Sequence, residues 1–359
     1  TDFYNFTTPM PTLDFPFFSE AIDLLFGFVL ACITIFGSIV NFSIVAMLIK
    51  GRKEVNSRTT WLMLSLAFSD GLMASIGGTM FSISSLNHKW AFGDIGCVLY
   101  AFVMYLTGCA DIGHLTVIAV DRALAILSPI KYRSWGSKPS ITILAVASAW
   151  AWGLFWSSLP LVGLQRYTYE GTTSCSIDWL SKRPEDIAYS VIMFVFVYII
   201  PVFGMITCYG LIFFTVKAAG KKFGGDDAAS QKKREVEMKL AKNFSMVIFV
   251  YMMFWTPYAL VSMWGAFGDP SGIPPAARGF PAVTAKFSFV VNPLLYVLSN
   301  KEHRHRLKAL YGIKAAVEPA PQAPAATKPA PSATQAPREK KATALEVPDD
   351  DPTGGTELE

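Results

Sequence analysis

PAVTAKFSFVVNPLLYVLS, residues 281–299, is a run of apolar side chains interrupted by a single charge, Lys286. An α-helix rises 1.5 Å per residue, so a run of about 20 apolar residues is the length that crosses a bilayer. Six more such runs lie upstream, near 22–49, 58–85, 95–127, 139–163, 187–217 and 238–267. With 52% hydrophobic and 16% charged residues, a chain of 359 residues has too little polar surface for a soluble domain. Its apolar residues also come in blocks rather than in an amphipathic rhythm. The expected fold is an all-α membrane protein, a seven-transmembrane-helix bundle.

The basic residues give the orientation. Lys50, Arg52, Lys53 and Arg58 follow the first run, and Lys131, Arg133 and Lys138 follow the third. Lys217, Lys221, Lys222, Lys232, Lys233 and Arg234 follow the fifth, whereas the alternate loops are poorer in Lys and Arg. Basic loops stay in the cytoplasm, so the N-terminus is expected outside and the tail inside. Residues 1–20 then form an extracellular segment without a cleavable-signal pattern, where the sequon Asn5-Phe6-Thr7 makes Asn5 a glycosylation candidate. Residues 21–300 form the membrane domain. Over 301–314, Leu307, Leu310 and Tyr311 recur at helical spacing among basic residues, which predicts a short amphipathic eighth helix on the inner membrane face and contact with lipid. Residues 315–359 are Ala/Pro-rich with an acidic close, the composition of a disordered tail.

The net charge of +4 names no nucleic-acid partner, and the five cysteines have no metal-ligand spacing. Cys32, Cys109 and Cys208 fall in apolar runs, whereas Cys97 and Cys175 lie between runs and could pair in an oxidising compartment or stay as free thiols. A charged lysine at the depth of Lys286 costs about 2.5–3.5 kcal/mol on insertion scales. On the span alone two readings stand level: a lysine that snorkels or pairs with an acid, and an amine that attacks an aldehyde to form a Schiff base.

Six residues after Lys286 stand Asn292-Pro293-Leu294-Leu295-Tyr296; the sixth run holds Phe254-Trp255-Thr256-Pro257-Tyr258 and the third holds Asp121-Arg122-Ala123. These resemble the asparagine–proline–tyrosine, tryptophan–proline and acid–arginine motifs of rhodopsin-like G-protein-coupled receptors. A lysine six positions before that asparagine resembles the retinal attachment site of opsins. The likeness covers about residues 20–313 and includes Asn41, Asp70, Trp150, Pro201 and Tyr209. The stretch 264–275 is most similar to peropsins and neuropsins, which points to a non-visual or invertebrate opsin.

The resemblance implies retinal on Lys286, 11-cis in the dark or else all-trans, with Tyr100, Gly108, Cys109, Trp255 and Tyr258 around it. Each of these pocket residues is otherwise ordinary core, although Pro257 makes a hinge at the depth of Trp255. It also implies a Cys97–Cys175 disulfide that pins the second outer loop as a lid. A cationic Schiff base needs a negative partner. Tyr100 stands where vertebrate visual opsins carry glutamate, and Phe81 and Ala282, at two other acid-bearing positions, are uncharged. Glu170 is then the counterion candidate, although it precedes Cys175 by five residues where other opsins have six. A solvated loop acid, with a bound anion such as chloride as the counterion, is the competing reading.

Toward the inner side the likeness implies that Arg122 pairs with Asp121 and with Glu237, and that Tyr209 and Tyr296 move toward Arg122 on activation. Asn292 and Pro293 belong to this switch, and Asn300 and Lys301 resemble a tripeptide presented to the G-protein. Ala123 replaces the family's tyrosine. Asp70 and Asp111 are two membrane acids near Asn292 and Asn41. They hold a proton, share a cation, or form a polar cluster without a switch role.

The implied function is a light-gated receptor in the plasma or a photoreceptive membrane, not an enzyme, acting on a heterotrimeric G-protein and then arrestin. The alternative is a photoisomerase that supplies one retinal isomer to other proteins. An ordinary ligand-gated receptor predicts no visible absorbance with retinal. A transporter fits poorly, since there is no inverted repeat.

Overall fold

A computed structural model describes residues 19–51, 57–136, 138–222, 228–269, 272–299 and 301–313. Among the described residues six helices are long and apolar enough to cross a membrane: α1 (Glu20–Lys50), α2 (Arg58–Leu86), α3 (Gly93–Leu127), α4 (Pro139–Val162), α5 (Pro184–Ala218) and α6, whose apolar part is Ala241–Phe267. The outward faces are greasy, with Phe28 at 66% and Phe203 at 71% exposed. In water such a surface would aggregate; in lipid it is required.

Lipid is as apolar as leucine, so helices in a bilayer associate by close packing, and small residues let them approach. At Gly153 on α4 an added Cβ would stand 2.5 Å from the Leu106 carbonyl oxygen, so α3 and α4 touch through their backbones. α3 runs through the middle, buried continuously from Thr107 to Leu115. A polar chain locks α4 to α2 and α3: Trp150 Nε1 donates to Ser65 Oγ at 2.8 Å, and Ser65 meets His114 Nε2 at 2.8 Å. His114 Nδ1 lies 2.7 Å from the Ala110 carbonyl. A carbonyl only accepts, so Nδ1 carries the hydrogen and Nε2 accepts from Ser65. The sequence reading picked out Trp150 but neither of its partners.

The seventh span starts earlier than residue 281 and consists of two helices, α7 (Pro275–Ala285) and α8 (Ser288–Ser299). Between them the amides of Lys286 and Phe287 bond to Val283 and Thr284 at 3.1 and 3.0 Å, a tight i→i−3 turn. Pro281 and Pro293 lie inside the two helices, and each removes a backbone donor. The acceptor that Pro293 would leave idle is the Phe289 carbonyl, which instead takes Asn41 Nδ2 of α1 at 2.7 Å.

α9 (Lys301–Leu310) is the amphipathic helix expected. Leu307 and Leu310 pack against the core, and the Tyr311 hydroxyl bonds Ser43 on α1. The helix stops short of residue 314 because Gly312 turns left-handed (φ 68°), and Ile313 N–H closes on the Lys308 carbonyl at 2.9 Å.

Between α4 and α5 the chain forms a hairpin, β1 (Tyr167–Glu170) against β2 (Ser174–Ile177), with Tyr169 opposite Cys175 and Glu170 opposite Ser174. The Cys97–Cys175 disulfide ties β2 to the first turns of α3. Asp94 accepts the Tyr169 hydroxyl at 2.5 Å, and Trp90 N–H reaches the Thr172 carbonyl at 2.6 Å. Beyond β2, Lys182 Nζ donates to the carbonyls of Gly265, Ala266 and Gly268 at 2.7, 3.2 and 2.5 Å, capping the C-terminal end of α6.

Candidate functional site

Under the hairpin lies a cavity of about 140 Å³. Gly108, Cys109, Glu170, Trp255, Tyr258 and Lys286 line it, so four separate elements, α3, β1, α6 and the break in the seventh span, bring these residues together. Apart from Ser176, Ser190 and Ser262 its remaining walls are apolar and aromatic, with Met193, Phe194 and Val197 from α5 and Ile177 from β2. These α5 residues escaped the sequence reading, since apolar side chains in an apolar run carry no mark of the face they occupy. Gly108 makes room for Trp255: a Cβ there would stand 3.0 Å from the indole. Trp255 is stacked on Tyr251 with centroids 5.6 Å apart.

Lys286 caps the end of α7 at the break in the seventh span. Its nitrogen faces the rings of Phe81 and Tyr100, at 5.7 and 5.8 Å from the centroids. No carboxylate forms an ion pair with it among the described residues.

Glu170 is 5% exposed, not a solvated loop acid. Gly171 (φ 66°) turns the chain directly after it, and the hairpin register keeps its carboxylate over the cavity in spite of the shorter spacing to Cys175. Tyr258 OH and Trp179 Nε1 both donate to Oε1 at 2.9 Å, and Ser174 Oγ donates to Oε2 at 3.4 Å. Burial pushes the Glu170 carboxyl above its ordinary range; Trp179, Tyr258, the Lys286 charge and Ser174 pull the other way. Trp179 was not singled out from the sequence.

At the opposite end of the bundle Asp121 and Arg122 are both 3% exposed. Arg122 donates to Asp121 Oδ2 at 2.5 Å, and Arg58 Nε stands 3.2 Å from Oδ1. Two hydroxyls complete the cluster. Thr59 and Tyr132 each accept from Arg122, at 2.5 and 2.9 Å, and each donates to Oδ2 at 3.2 Å. Tyr132 comes from the short helix Pro129–Gly136 and also lies under the Arg58 guanidinium, 5.0 Å from its ring centroid. A phenol from the following loop thus stands at the motif in which Ala123 replaces tyrosine. Neither Arg58 nor Tyr132 was legible as a partner, because nothing local shows which side chains fold back on the motif. The Tyr209 hydroxyl is buried near this cluster without a hydrogen bond among the described residues. The side chains of Glu237, Tyr296 and Lys301, and all of Asn5 and Asn300, lie outside the described residues.

Midway between the two ends Asp70 and Asp111 are buried beside each other. Asn292 Nδ2 donates to Asp70 Oδ2 at 3.3 Å. Asn41 is not part of that contact; it is spent on the Gly37 and Phe289 carbonyls.

The family description "7 transmembrane receptor (rhodopsin family)" matches residues 40–296. A melanopsin of Phodopus sungorus is 32% identical over 302 residues, covering 82% of this chain and 63% of that protein. A melanopsin-like protein of Danio rerio is 33% identical over 301 residues, covering 82% and 59%. The chain therefore spans about three-fifths of the length of these relatives. The crystal structure of squid rhodopsin superposes with a TM-score of 0.77 at 24% identity, covering 85% of this chain and 91% of that one, a likeness of fold. With the family match spanning more than half its length, the motifs in register and a lysine in the pocket, this chain belongs to the rhodopsin family of seven-transmembrane receptors and stands among its opsins.

Proposed function

We propose that the protein is a light receptor that holds retinal on Lys286 as a protonated Schiff base and activates a heterotrimeric G-protein. The observation that carries this reading is the amine of Lys286 in a break of the seventh span, opening on a largely apolar and aromatic cavity whose one carboxylate among the described residues is buried Glu170. The residues suit the group: an aldehyde needs an amine, a polyene needs apolar walls, and a cation in low dielectric needs a negative charge. Retinal, when bound, supplies visible absorption and a change of shape on illumination.

The chain's own residues do the rest. Lys286 anchors the chromophore, and Glu170 balances its charge in place of a bound anion. Trp255 stands on α6 near Pro257, so displacing the indole bears on the helix that Lys182 holds at one end. At the other end Arg122 leaves Asp121 as α6 moves, and the G-protein enters there; arrestin follows at the same face. Because Glu170 sits on the lid rather than on a helix that moves, it serves both isomers. The photoproduct therefore keeps a visible band and reverts with a second photon.

The test is an absorption spectrum in the dark and after illumination of the chain reconstituted with 11-cis-retinal, followed by light-dependent nucleotide exchange on a G-protein. The expected result is a visible band, absent in Lys286→Ala, and light-driven exchange. A band in Lys286→Ala would refute the attachment site. A band with isomer turnover but no exchange would make the protein a photoisomerase.

A further inference from the structure

The nitrogen of Lys286 has an aromatic surround that the sequence motifs do not announce. Phe81 of α2 and Tyr100 of α3 present their rings at 5.7 and 5.8 Å from it, and the two are 4% and 1% exposed. Both distances fall within the ~6 Å over which a cation is drawn to a ring face. Trp90 packs edge-on against Tyr100 at 5.1 Å, which fixes the ring's attitude. Glu170, meanwhile, gives both carboxylate oxygens to other partners, Tyr258, Trp179 and Ser174. The Tyr100 hydroxyl points at this network, 3.5 Å from Ser174 Oγ.

We propose that Phe81 and Tyr100 form an aromatic seat for the cationic nitrogen, sharing with Glu170 the work of keeping it charged. This rests on the reading of Lys286 as the retinal anchor. The titratable groups around the nitrogen are Tyr100 on α3 and Glu170 on β1, with Tyr258 on α6 bonded to Glu170. An acid at position 81 or 100 would be an unpaired buried charge whenever the lysine is neutral, which is costly. A ring face attracts the cation and costs nothing when the cation is gone. Both rings stand on helices other than the one that carries Lys286, so the seat stays in place when the seventh span shifts.

The seat is tested first without retinal. Reductive 13C-methylation of the full chain labels its lysines, and the Lys286 resonance is the one lost in Lys286→Arg. Ring currents should displace it upfield, and Phe81→Leu or Tyr100→Leu should return it toward the position of an exposed lysine. In the retinal-loaded chain each of these variants should fade from visible to near-ultraviolet absorbance at a pH lower by about one unit, a tenfold loss in proton affinity. Phe81→Trp and Tyr100→Phe keep a ring and should behave like the parent. If both leucine variants leave the resonance and the fading pH unchanged, the seat does not exist. If Tyr100→Phe behaves like Tyr100→Leu, the hydroxyl and not the ring is the active group, and the proposal falls. Should the parent chain form no pigment at all, the retinal reading fails by itself, and the methyl resonance still decides whether the rings hold the amine.

Discussion

Asn41→Ala should cost about 1–2 kcal/mol, and the cost should depend on a proline in another helix. Asn41 is fully buried and donates to two carbonyls, Gly37 at 2.9 Å and Phe289 at 2.7 Å. The Gly37 oxygen also has the ordinary helical bond from the Asn41 amide, so losing the side chain does not orphan it. The Phe289 oxygen lacks that bond, because residue 293 is proline. A buried acceptor left unpaired costs about 1–3 kcal/mol, and polar contacts between membrane helices measure about 0.6 on average and 1.7 at most. The overlap is about 1–2 kcal/mol, or a fall in Tm of roughly 1–3 °C for a chain of this size. Pro293→Ala restores an amide that can reach the Phe289 oxygen. In that background Asn41→Ala should lose about 1 kcal/mol of its effect, a coupling that distant sites do not show. The assay is thermal unfolding of the retinal-free chain in lipid, read by a thiol-reactive dye at Cys109, which is 3% exposed when folded. Equal losses with proline and with alanine at 293 would refute the account of the bond.

Three further outcomes follow from the same geometry. Burial raises the Glu170 carboxyl above 4.5, so its folded form holds the proton longer than the unfolded chain does. This contribution to stability is full below about pH 4.5 and is lost as pH rises through the folded value. Glu170→Gln should abolish that decline in Tm, and identical pH profiles would contradict it. Arg58→Met removes one of the two cations on Asp121 and should cost about 2 kcal/mol, less than an orphaned buried charge because Arg122 remains. Raised nucleotide exchange in the dark is the accompanying readout, and unchanged stability and dark exchange would show that Arg58 is idle. Lys182→Met uncaps three carbonyls at the end of α6 and should raise amide exchange of residues 264–268 about fivefold, for ~1 kcal/mol of lost capping. Unchanged exchange there would mean that the lysine caps nothing in solution.

The spans of six helices were legible because membrane insertion depends on local composition, a property of about 20 consecutive residues. The seventh was legible as a run but not as two helices. Pro281 and Pro293 announce trouble with backbone bonding, yet where the helix yields depends on which neighbours accept the loose groups, and Asn41 is more than two hundred residues away. Lys286 could be singled out because a charge inside an apolar run is conspicuous. Its surroundings could not. Glu170 read as an acid one position out of register, and only the hairpin pairing, the turn at Gly171 and the disulfide to α3 carry its carboxylate over the cavity. Phe81 and Tyr100 read as the absence of an acid, while folding turns them into two ring faces around one nitrogen. Arg58, Thr59 and Tyr132 gather on Asp121 for the same reason. Sequence by itself determines which segments enter the membrane, since that is a one-dimensional balance of transfer energies. Which polar group meets which is decided by helix packing, because each buried donor or acceptor must find its partner among whatever the neighbouring helices bring within about 3 Å.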